Sequence, residues 1–377
     1  MMRRWERWKV GKMEGAVLLL SILPSFPLSA QDSQFGIRGL GTPGRFETVR
    51  ARTTGGALGP FDALSPLSEA SLADLPQLTA TAMGGTSYRT ADVAGGGGAT
   101  TSFRSTRFPV MGLAGPVLGR LVLAGGFTTY LDRTWDVRIR DSMSLRGGMQ
   151  PYTDELTSDG GVTNLRLAAA LRVSGRLAIG AAVHVLSGST RETATRTFDD
   201  TTYHQVRQND EVRYDGVGVS GSALLDVLPT LRLAAFARSD NRLRARLGDV
   251  VTAQTDLPTT LGGGLRWAPS PSVRLAGAVT RRSWADAGAG AFNTVSWSAG
   301  LEVGAGFAPL RVGARGGQLP FGAGTTAPTE LGFAFGTGRA FSQGRALLDL
   351  GLEHLQRTGG GLSEGVWTFL VGFTVRP

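Results

Sequence analysis

From about residue 77 onward the sequence falls into segments of about ten residues in which every second side chain is apolar, the period of a strand with two unlike faces. In the segment 163–173, Leu165, Leu167, Ala169, Leu171 and Val173 share one face, and Asn164, Arg166, Ala168, Ala170 and Arg172 the other. The next segment sets Leu177, Ile179, Ala181, Val183 and Val185 against Ala178, Gly180, Ala182 and His184. Later ones repeat the plan, with Leu231 and Leu233 against Arg232, Val273 and Leu275 against Arg274, and Leu310 and Val312 against Arg311 and Arg315. A soluble sandwich needs bulky, interlocking residues between its sheets, and these faces are too lightly built for that. A transmembrane barrel turns such strands inside out: apolar side chains meet lipid, and small or charged ones line the interior.

The connections sharpen this choice. We read fourteen strands, the first near 78–90 and the last near 365–376, an even number. Tight joins at 115–118, 174–175, 228–230 and 268–271 alternate with longer ones, among them 135–160, 188–213 and 240–256. Short turns on one rim and long loops on the other are the anatomy of outer-membrane barrels. Trp135, Trp267, Trp284, Phe292, Trp367 and Phe369 stand near segment ends, where an interfacial girdle belongs. The expected fold is therefore all-β, a transmembrane antiparallel barrel of about 14 strands spanning residues 77–377.

Two segments precede it. Residues 1–30 have a basic start, an apolar stretch Ala16–Leu23 and Leu28-Ser29-Ala30, which predicts a secretory signal peptide cleaved after Ala30. That places the protein in the outer membrane of a Gram-negative bacterium. Residues 31–76 do not alternate and carry few charges, which predicts a lumenal plug, with Asp62, Glu69 and Asp74 as its acidic contacts to the wall.

Composition narrows the function. The chain has no cysteine, so a cysteine nucleophile or a Cys-based zinc site is excluded. The net charge of +9 includes +3 from the first 30 residues; the remaining basic side chains are all arginine and are scattered among acids. A nucleic-acid binder would gather them on one face, so no nucleic-acid partner is expected. Three histidines, no G-x-S-x-G and no H-E-x-x-H give no enzyme, and neither a metal nor a cofactor is expected. By parity Arg166, Arg172, Arg232, Arg274, Arg311, Arg315 and His184 point into the lumen, as do Glu302, Glu330, Asp349 and Glu353. Two roles suit these charges. They pair across the lumen as a structural ladder, or one or two arginines bind a ligand carboxylate through two parallel hydrogen bonds.

The run Gly55-Gly56-Ala57 leading to Ser68-Glu69-Ala70-Ser71-Leu72, and Gly160-Gly161-Val162-Thr163-Asn164 leading into the fourth strand, resemble the FadL-type family of outer-membrane transporters. In that family the first motif usually reads Asn-Pro-Ala, where this chain has Ser68-Glu69-Ala70. The resemblance implies a fourteen-stranded barrel closed by an N-terminal hatch. It also implies passive uptake of hydrophobic or amphipathic, fatty-acid-like small molecules. The last strand, with Trp367, Phe369, Val371, Phe373 and Val375 on one face, resembles the C-terminal signal read by barrel-assembly machinery, although Arg376-Pro377 stands in place of the usual terminal aromatic. The expected partners are thus that machinery, outer-membrane lipid and a small hydrophobic ligand. The alternative is a barrel that transports nothing and anchors a secretion or surface complex.

Overall fold

The computed structural model describes residues 33–93, 100–288, 290–304 and 308–377; the expected signal peptide and the glycine run 95–98 lie outside them. Fourteen antiparallel strands among the described residues close into one ring. In chain order they are β1 (Thr79–Val93), β2 (Thr100–Leu118), β3 (Leu121–Asp132), β4 (Gly148–Arg172), β5 (Leu177–Phe198), β6 (Val206–Leu228) and β7 (Leu231–Asp240). There follow β8 (Thr260–Ser270), β9 (Val273–Arg282), β10 (Thr294–Val303), β11 (Leu310–Gln318), β12 (Thr329–Phe341), β13 (Ala346–Gly359) and β14 (Leu362–Val375). Each pairs with its neighbour in sequence, and β14 closes on β1 with Trp367 opposite Tyr88 and Leu370 opposite Gly85. Closure leaves the ring without a free edge, the condition for strands to cross a bilayer.

The alternation has the expected sense. Leu165, Leu167, Val183, Val185, Val217 and Val219 are exposed on the outside, and their neighbours Arg166, Ala168, Ala182 and His184 are buried inside. Trp267, Trp297, Trp367 and Phe369 are each about half exposed on the same outer surface. Trp284 departs from the expected girdle. It is buried in a short 3-10 turn (Trp284–Ala287), edge-on to Phe321 at 5.5 Å, within an apolar cluster that includes Tyr130, Leu131 and Leu186. Its place just after β9 put it near a strand end, but the chain folds it inward over the lumen.

The long joins also differ from expectation, because much of 135–160, 188–213 and 240–256 is sheet. β4 alone has 25 residues, or about 80 Å at ~3.3 Å per residue, far beyond an apolar band ~25 Å tall. β4, β5 and β6 therefore continue past the rim as a ribbon. It is widened on one side by Trp135–Leu145 and on the other by Arg242–Leu247 paired with Val250–Asp256. Both faces of that ribbon stand outside the apolar band, so the hydrophobic period that marks a half-buried strand is missing from sequences such as Thr190-Arg-Glu-Thr-Ala-Thr-Arg-Thr197. Among the described residues, the rim of long joins has one exception. β13 and β14 meet through Gly360-Gly361 alone, both with positive φ (59° and 81°), as a two-residue hairpin turn requires.

Residues 33–78 run inside the ring. Thr42–Pro43 pair with Leu131 and Asp132 of β3, and Gly44 N donates to the Tyr130 carbonyl at 2.8 Å. A single helical turn, α1 (Val49–Arg52), follows, with Thr48 Oγ1 accepting from Ala51 N at 3.2 Å as its cap. The segment then passes through a 3-10 turn (Gly59–Phe61) and ends in a longer one (Glu69–Asp74) lying against β4, β5 and β6.

Candidate functional site

Inward parity crowds charges into a confined space, where an unpaired ion is costly and a paired one is stable only with good geometry. The segment 33–78 and the wall meet that condition together. Arg50 grips Glu302 of β10 through two parallel bonds, Nε to Oε2 at 2.9 Å and Nη2 to Oε1 at 2.8 Å. The same carboxylate accepts from Arg274 at 2.6 Å and from Arg311 at 2.8 Å. Arg45 and Arg52 both donate to Glu353 of β13. At the head of the segment Ser33 Oγ donates to Glu364 of β14 at 2.7 Å, and Gln34 N to the same carboxylate at 2.6 Å.

The polarity reverses further along. Glu69 accepts from Ser220 at 2.7 Å and Ser222 at 3.0 Å, both on β6, with Arg166 of β4 ion-paired at 3.7 Å. Asp74 accepts from Arg172 of β4 and Arg232 of β7. Arg232 also holds Asp226 at 2.9 Å. Asp62, unlike the other two acids, faces its own segment, where Thr48 Oγ1 donates to it.

Among the arginines singled out from sequence, Arg166, Arg172 and Arg232 thus gather around the acids of the segment. Arg274 and Arg311 converge on Glu302, with Arg311 also reaching Asp349 at 2.6 Å, and Arg315 pairs with Glu330 at 3.0 Å. This is the ladder form of the interior. His184 is buried on β5, with Nδ1 at 3.0 Å from the Asn164 side chain and Nε2 at 2.7 Å from Ser220 Oγ. Sequence reasoning passed over Arg45, Arg50 and Arg52, because a segment without a period assigns no inward face. It passed over Ser220 and Ser222 because small residues on a lumen face carry no distinctive mark. Their signal was the spacing of two hydroxyls, i and i+2, on one side of a strand.

Electrostatics follow the geometry. Burial lowers the Arg45 guanidinium well below its ordinary value, and the neighbouring cations Arg315 and Arg52 push in the same direction. Burial would raise Glu47, but Arg45, Arg315 and Arg52 outweigh it and hold that carboxyl below the usual range. Burial would likewise lower Arg50, and its bonds to Glu302 more than reverse the effect.

The wall is also cut to admit the segment's backbone. A Cβ on Gly313 would lie 2.0 Å from the carbonyl carbon of Thr54, and one on Gly180 would lie 2.5 Å from that of Glu69. Only a residue without a side chain permits such contact.

No protein-family model matches the sequence, and no curated protein matches it. Solved structures share its architecture. A FadL homologue from Pseudomonas aeruginosa superposes with a TM-score of 0.62 at 10% identity, covering 89% of this chain and 99% of that one. The chain has the FadL-type fold. The toluene transporter TodX of P. putida gives 0.59 at 12% identity, with 90% of this chain and 99% of that one covered. The CymD monoaromatic hydrocarbon channel gives 0.57 at 14%, again with 90% and 99% covered.

Proposed function

We propose that this FadL-type barrel is an outer-membrane channel through which hydrophobic or amphipathic small molecules enter passively, with residues 33–78 as its plug. The observation that carries the reading is the pairing of an apolar outer surface with a lumen occupied by a segment bound through side-chain contacts and a few backbone hydrogen bonds. Such a segment can shift without breaking the wall, whose strands are hydrogen-bonded to each other independently of it. The monoaromatic hydrocarbon channel and the toluene transporter that share the fold support the class of solute. Export by the leader at 1–30 and insertion by the barrel-assembly machinery belong to the same reading.

The arginines Arg166, Arg172 and Arg232 are those best placed to meet an acidic headgroup once the plug moves, since each is paired with an acid of that segment. Arg274, Arg311 and Arg315 serve chiefly to neutralise wall acids. Vesicles containing the full chain should take up a labelled fatty acid or toluene faster than empty vesicles. Equal rates, with insertion verified by heat-modifiable migration on a gel, would refute transport and leave the anchoring role.

A further inference from the structure

The bonds around Glu69 have the form of a ligand in a receptor. Its carboxylate belongs to the segment, but the groups that hold it come from the wall: Ser220 Oγ on one oxygen, Ser222 Oγ on the other, and Arg166 supplying the charge. Behind them the wall is braced independently. His184 contacts both Ser220 and Asn164, and the Asn164 amide donates to Thr128 at 3.1 Å. The Asn164 amide nitrogen is spent on Thr128, so its oxygen faces Nδ1 of His184 and accepts that proton; Nε2 of the neutral ring is then an acceptor, and the single hydrogen of Ser220 lies between Nε2 and Glu69. Ser220 is thus held by a wall neighbour that does not depend on the segment, whereas Ser222 also accepts from Ala70 N of the segment at 2.8 Å.

The fit to Glu69 is incomplete. Nη1 of Arg166 is buried and has no hydrogen-bond partner among the described residues, and its 3.7 Å separation from Glu69 Oε1 is an ion pair without a hydrogen bond. Glu69 is tethered through a backbone packed closely against Gly180, which restricts its approach to the guanidinium. An untethered carboxylate could accept from both hydroxyls and from the guanidinium together, the strong charge-assisted geometry. Beside the carboxylate, Phe46, Leu67, Phe236 and Trp284 line a small cavity with Glu69, His184, Ser220, Arg238 and Arg282, so a shift of the segment would give an apolar tail surface on the Phe236 and Trp284 side.

We infer that Arg166, Ser220 and Ser222 form a carboxylate site on the lumen wall, held by Glu69 in the closed channel and taken over by an amphipathic carboxylate ligand that displaces it. The exchange replaces one anion by another, so no buried cation is left alone, and the plug loses one of the contacts that tie its Glu69–Asp74 turn to β4 and β6, others being Ala70 N to Ser222 and Asp74 to Arg172. A neutral hydrocarbon cannot make this exchange. The inference rests on the uptake reading above and adds that acids open the plug where neutral solutes do not.

The test uses detergent-purified full chain, with sodium decanoate as probe and 1-decanol as neutral control. A tethered competitor at an effective concentration in the millimolar range masks its site, so Glu69→Gln should bind decanoate at least about tenfold more tightly and decanol unchanged. Arg166→Gln should lose the preference for decanoate. The chain has no cysteine and Ala70 is fully buried, so Ala70→Cys reports on the turn directly: decanoate should speed its labelling by an aqueous maleimide, and decanol should not. Unchanged decanoate affinity in a folded Glu69→Gln barrel overturns the inference, as does labelling indifferent to decanoate. Vesicle uptake of a labelled fatty acid by the intact channel separates the two readings. If the fatty acid enters while decanoate fails these tests, only the carboxylate site is wrong; if it does not enter, the uptake reading itself fails.

Discussion

The two halves of the segment inside the barrel bind the wall with opposite charge. Residues 45–52 present Arg45, Arg50 and Arg52 to Glu353 and Glu302, whose side chains are 1% exposed. Residues 69–74 present Glu69 and Asp74 to Arg166, Arg172 and Arg232, and here Asp74 and Arg172 are 28% and 27% exposed. Glu302, Glu353 and Glu69 are each at most 2% exposed, whereas water reaches the Asp74–Arg172 pair, so the same chemistry gives firm anchor contacts at the buried carboxylates and a weaker latch at Asp74. The wall follows this division: β10 and β13 supply the acids, and β4 and β7 the arginines.

The largest effect should come from removing the anchor's shared carboxylate. Glu302→Ala leaves Arg50, Arg274 and Arg311 facing one another in a buried space, a loss of about 3–5 kcal/mol for a broken buried pair. Thermal unfolding in detergent should fall by several degrees, and an unchanged transition would show that these ions are solvated. Gly313→Ala is expected next in size. Its Cβ collides with the Thr54 carbonyl and should push the anchor half off the wall, raising single-channel conductance more than Gly180→Ala, which disturbs only residues 69–74. Equal conductance changes in the two variants would erase the distinction between the halves.

Much of this was legible in the sequence, and the boundary of what was legible is physical. The period-2 pattern in 163–173 and 177–185 gave the wall and its inward arginines, because one face meets lipid and the other does not. The same rule fails beyond the apolar band, where the ribbon built from β4, β5 and β6 has no hydrophobic side to mark it. It fails again in residues 33–78, where short turns point side chains in all directions, so the acids Glu69 and Asp74 were anticipated as wall contacts while the arginines of the anchor were not.

Acid should discriminate the halves less strongly. Glu47, beside the anchor arginines, has a folded pKa below its unfolded value, so its contribution is complete above about pH 4 and is lost as pH falls through the depressed folded value. Conductance at pH 5 should equal that at pH 7, and a rise already at pH 5 would place the anchor carboxyls in the ordinary range. Asp74→Asn should be the mildest change, under about 1 kcal/mol, because the pair is partly exposed and both arginines keep Asp226. A destabilisation as large as that of Glu302→Ala would contradict the weak-latch assignment.

The central claim is that residues 33–78 close the lumen of an otherwise complete barrel. Planar-bilayer recording of a variant lacking residues 35–74 tests it most directly. The account predicts a barrel that inserts, migrates heat-modifiably and conducts several times more ion current than the intact chain. A variant that inserts normally and conducts no more than the full protein would contradict it.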